Sequence, residues 1–115
     1  MKNYIILISI LVFVFTSAVA WAHPAKRIDL TFNKNTKVLA AKVVHDVKDN
    51  VKHYTKNIQI TVNKRDVLTH DLTMQDNLQG GMYMYKLNDV KPGDTISLTT
   101  TCNFVGTKTA SITVK

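Results

Sequence analysis

A chain of 115 residues with 15 basic and 8 acidic side chains carries a net charge of +7, and every acid is an aspartate. That length supports one small domain. A single cysteine excludes an intramolecular disulfide, and the scattered lysines describe a solvated surface rather than a nucleic-acid-binding block.

The N-terminal segment reads as an address. Met1-Lys2-Asn3 gives a short positive start, Tyr4 to Phe15 is almost unbroken apolar sequence, and Thr16 to Ala22 offers small-x-small sites after Ala20 or Ala22. This is the three-part pattern of a secretory signal peptide. The apolar run is shorter than the roughly 20 residues a membrane span needs. Residues 1–22 are therefore expected to be cleaved, leaving residues 23–115 as one exported domain, periplasmic or secreted, with no stable membrane anchor.

Beyond His23-Pro24, the segment Arg27 to Phe32 alternates with Ile28, Leu30 and Phe32 on one face. Asn33 to Thr36 is turn chemistry. Lys37 to His45 forms the next strand, with Leu39, Ala41, Val43 and His45 in line. A polar loop, Asp46 to Val51, leads past His53 to Tyr54–Val62, where Ile58, Ile60 and Val62 face inward. Asn63 to Asp66 reads as a hairpin loop and Val67 to Thr73 as its return strand.

Gln75 to Gly81 is a looser connection, followed by the aromatic strand Met82 to Leu87. Pro92-Gly93 fits the centre of a type II turn. Thr95 to Cys102 alternates with Ile96, Leu98, Thr100 and Cys102 on one side, and Thr109 to Val114 closes the chain. About seven short strands with turn signals and no helix predict an all-β protein, a seven-stranded antiparallel immunoglobulin-like β-sandwich.

The chemistry lies in the histidines and the cysteine. His45 and His53 stand at the ends of neighbouring strands, and imidazole and thiolate are ligands that borderline transition metals prefer. A lone thiol in an exported chain calls for burial, pairing between chains or a metal. The bland alternative is a pair of polar strand ends and an inert buried cysteine. His70, between Leu68 and Leu72, reads as structural. Met74, Met82 and Met84 could form a copper-binding methionine cluster, but their location beside Tyr83 and Tyr85 reads rather as a strand with its sheet contacts.

Lys52-His53-Tyr54-Thr55-Lys56-Asn57-Ile58, preceded by His45 and followed by Cys102-Asn103-Phe104-Val105-Gly106, resembles the iron-binding domain of desulfoferrodoxins and superoxide reductases. That family carries a His, a short loop, then Lys-His-Tyr-Ile or Glu-His-His-Ile, and later Cys-Asn-x-His-Gly. The resemblance implies a mononuclear non-haem iron with His45 and His53 as equatorial ligands, Cys102 as the axial one, and His23 in place of the family's first histidine.

The chain departs from the pattern at Val105, where the family has its fourth histidine. It also lacks the Glu-Lys pair that precedes the first ligand in many active members. Metal binding is thus a firmer expectation than superoxide reductase or other redox activity, which would need superoxide and an electron-donor protein. Two alternatives stand beside it: a non-catalytic interaction module, and a periplasmic copper or zinc carrier. Cleavage after Ala22 would favour copper, because the free amine and imidazole of His23 could then chelate it with another histidine.

Overall fold

The computed structural model describes residues 23–115, and the expected signal segment lies outside the described residues. Seven strands follow in order: β1 (Arg27–Asn33), β2 (Val38–Val44), β3 (Thr55–Val62), β4 (Arg65–Asp71), β5 (Gly80–Lys86), β6 (Thr95–Cys102) and β7 (Thr107–Thr113). All pair antiparallel, in a three-stranded sheet of order β1-β2-β5 and a four-stranded sheet of order β4-β3-β6-β7. Among the described residues there is no helix.

The two sheets bury one apolar face each against the other. Leu39, Ala41, Val43, Tyr83 and Tyr85 come from the first sheet, and Ile58, Ile60, Ile96 and Leu98 from the second. These are the positions that period-two alternation sends inward, because successive side chains on a strand point to opposite faces. Register then follows, since a slip of one residue would turn each of these sets out to solvent.

Among the strand boundaries that differ from the sequence expectation, those of the β3–β4 turn and of the start of β5 have a clear backbone cause. The β3–β4 connection is the two-residue turn Asn63-Lys64, both with positive φ (51° and 68°), so Arg65 and Asp66 already belong to β4. A tight turn of this hand matches the twist of the strands it joins. Gly80-Gly81 belongs to β5 rather than to the loop before it. A Cβ on Gly80 would run into the Val43 carbonyl, so the backbone there approaches β2 as only glycine allows.

The antiparallel register collects four chain segments at one end of the sandwich. Arg27, which starts β1, pairs with Val44, which ends β2. Thr55, which starts β3, pairs with Cys102, which ends β6. The residues just outside these strand ends therefore meet at one pole.

Candidate metal centre

His45 continues the inward face of β2 by one residue and is fully buried. Its backbone N–H donates to the Gln79 carbonyl at 2.8 Å, which holds the chain beyond β2 against the connection that precedes β5. Its ring lies between two oxygens. Nδ1 is 2.8 Å from Gln75 Oε1, and Nε2 is 3.1 Å from the main-chain oxygen of His23.

His53 is presented by a short loop that Asp49 organises. The Asp49 carboxylate accepts the backbone N–H groups of Val51 and Lys52, and its carbonyl accepts that of His53. Those two backbone donors hold the Asp49 carboxyl below its ordinary range. His53 itself is also held below the usual histidine range, first by desolvation and then by the charges of His45 and His23. A ring that resists protonation keeps its lone pair for a metal.

Cys102 reaches this loop through its neighbour. Asn103 Oδ1 accepts the Tyr54 N–H at 2.8 Å, and its Nδ2 donates to the Lys52 carbonyl at 2.9 Å, so one side chain clasps the backbone on both sides of His53. The turn returns at Gly106, whose carbonyl accepts the Cys102 N–H. Gly106 has φ of 98°, and a Cβ there would sit 2.8 Å from Pro24 Cδ. Close approach of this turn to the arm bearing His23 therefore depends on glycine.

Three of the sequence-predicted residues, His23, His45 and His53, converge as possible metal ligands, and the fourth, Cys102, lies against one of them. One ligand atom from each of His23, His45 and His53 lies within 4.8 Å of the others. Their ring centroids are 4.8 to 5.1 Å apart. Cys102, buried, joins the trio through His53, with Sγ 3.1 Å from Nε2. A nitrogen and a sulfur at ordinary metal-ligand lengths, set at a right angle on one ion, would be about 3.1 Å apart. Nitrogen and sulfur donors with no carboxylate in the trio suit a borderline transition metal better than calcium or magnesium.

The centre opens on a depression lined by Val47 and Phe104 and by two lysines and two aspartates, Lys48, Lys52, Asp46 and Asp49, besides His23 and His53. Phe104 stacks on His53 with centroids 4.6 Å apart. A second depression at the opposite end of the sandwich, lined by Asn63, Arg65, Lys86 and Lys91 among others, has no histidine or cysteine in its walls.

His70 lies apart from the centre, its Nδ1 hydrogen-bonded to the Tyr85 hydroxyl at 2.8 Å, in keeping with a structural role. Met82 and Met84 are strand residues, as expected, paired with Lys42 and Ala40 of β2, and their side chains lie on the outer face of β5, 52% and 69% exposed. Sequence reasoning missed Gln75, which is buried beside His45 although it belongs to an otherwise polar connection. Nothing in its local pattern marks it.

No family model matches the chain. No curated protein and no solved structure matches it either.

Proposed function

We propose that this chain is an exported metal-binding domain of the superoxide-reductase type, holding one iron ion through His23, His45, His53 and Cys102. The observation that carries this reading is the meeting of three imidazoles and the sole cysteine at one pole, from segments as distant as residues 23 and 102. The residues that carry the family resemblance are those that converge. The strand order β1-β2-β5 over β4-β3-β6-β7 also supports an immunoglobulin-like sandwich.

In this reading the protein's residues do four things. The imidazoles and sulfur hold the ion, the sandwich walls keep water from its inner side, Phe104 shields one face of His53, and Lys48 and Lys52 offset Asp46 and Asp49 at the rim so that a small anion such as superoxide meets no net negative charge. Bound iron would supply one-electron chemistry. Val105 in place of the family's fourth histidine removes one imidazole from the set, so metal binding is the firmer part of this reading and reductase turnover the weaker.

A copper or zinc carrier is the second reading. Three nitrogens and a sulfur complete a closed four-coordinate set without any further ligand.

The deciding measurement is metal content after native, anaerobic purification, by elemental analysis. We expect close to one metal per chain, a sharp fall in His53→Ala and Cys102→Ala, and no change in His70→Ala. Near-zero metal in all four proteins after metal-replete growth would leave the non-catalytic interaction module as the better account.

A further inference from the structure

We propose that Gln75 is a positioning residue of this centre: it fixes the tautomer of His45 and so presents Nε2, and not Nδ1, to the ion. The inference rests on the metal-binding reading for its purpose, but its geometry stands by itself. Gln75 Nε2 lies 2.8 Å from the His45 carbonyl and 3.0 Å from the Asn77 carbonyl, groups that only accept. Gln75 Oε1 lies 3.2 Å from the Thr55 backbone N–H, a group that only donates. Three main-chain partners therefore fix which end of the carboxamide is oxygen.

The oxygen so fixed stands 2.8 Å from His45 Nδ1, which must then be the protonated nitrogen. In a neutral ring this leaves Nε2 with its lone pair. In the metal-free protein Nε2 lies 3.1 Å from the main-chain oxygen of His23, an acceptor for a ring proton, and an ion at Nε2 would replace that contact. Outer partners of a ligating imidazole, such as Gln75 here, set its orientation and basicity.

Gln75 is itself held from both sides. Its N–H donates to the Asn50 carbonyl and its carbonyl accepts the Asn50 side-chain amide. Asn50 belongs to the loop that carries His53, and Thr55 opens β3 immediately beyond it. One buried residue thus couples the settings of His45 and His53, and truncating it would disturb both.

The test uses the full purified chain, labelled with nitrogen-15 and stripped of metal. Long-range proton–nitrogen correlation at about pH 8.5, where an ordinary imidazole is neutral, reads the tautomer of His45 directly. We expect the proton on Nδ1 in the wild type and a move toward Nε2 in Gln75→Leu. Cobalt(II) titration should show affinity lower by about 10- to 100-fold in that variant.

A proton on Nε2 in the wild type overturns the proposal even if no variant folds. So does a folded Gln75→Leu protein with unchanged tautomer and unchanged cobalt affinity. A wild type that shows the Nδ1 proton yet binds no cobalt removes the metal reading and leaves the control of His45 by Gln75 in place.

Discussion

Tyr83 shows how single positions in this sandwich are set by burial. Its ring fills the core from β5, yet its hydroxyl is buried without a hydrogen-bond partner among the described residues. Desolvation, and then the nearby Asp76 carboxylate, push it up to about 12. The unfolded chain releases this proton near its ordinary value of about 10. Between about pH 10 and 12 the native state therefore holds a proton the unfolded state has lost, and stability falls as pH rises. Tyr83→Phe should be neutral to about 1 kcal/mol stabilising near neutral pH. It should also flatten the decline in urea midpoint from pH 9.5 to 11.5; an unchanged decline would mean that Tyr85, also pushed up, accounts for it alone. Val105 makes the second residue-scale case. It is 53% exposed and follows Phe104, which stacks on His53. Val105→His should tighten ferrous binding and give the oxidised protein a sulfur-to-iron absorption band. A folded variant with neither change would sever the alignment of this turn with the family motif.

Among the elements, the β3–β4 hairpin carries a local conflict. Lys64 occupies φ of 68°, a conformation that costs a residue with a Cβ roughly 1 kcal/mol or more. The preceding Asn63 tolerates it better, and its side chain bonds Asp94 and the Thr95 N–H. Lys64→Gly should raise stability by up to about 1 kcal/mol, less the entropy glycine adds to the unfolded chain. Equilibrium denaturation at constant m-value checks this, and a clear loss would show that the Lys64 side chain contributes more than its backbone costs. The turn after β6 is the contrasting element. There Gly106 already supplies the required conformation, and Asn103 converts a surface turn into the clasp that sets Cys102 beside His53.

For the molecule as a whole, four segments tied to one ion would be linked to folding. A metal that binds only the native state at about 100 times its dissociation constant adds about 2.7 kcal/mol. For a domain this small that predicts a rise of roughly 10–20 °C in the melting midpoint, at about 4–8 °C per kcal/mol. A chelator should reverse the rise and His53→Ala should prevent it. An equal rise in His53→Ala would place the metal elsewhere.

Alternation by itself determined the seven strands and the inward faces, because each sheet face has a period of two and a buried partner. It also marked His45 as an inward residue, in line with Leu39, Ala41 and Val43. The meeting of His23 with the rest was different, since nothing local links an arm before β1 to the end of β6. Only the antiparallel register, which sets the ends of β2 and β6 at one pole, decided that. Gln75 was decided by tertiary structure entirely. A glutamine in a polar connection has no periodicity to betray it, and its burial follows from main-chain groups at residues 45, 50, 55 and 77 that meet its amide only in the folded protein.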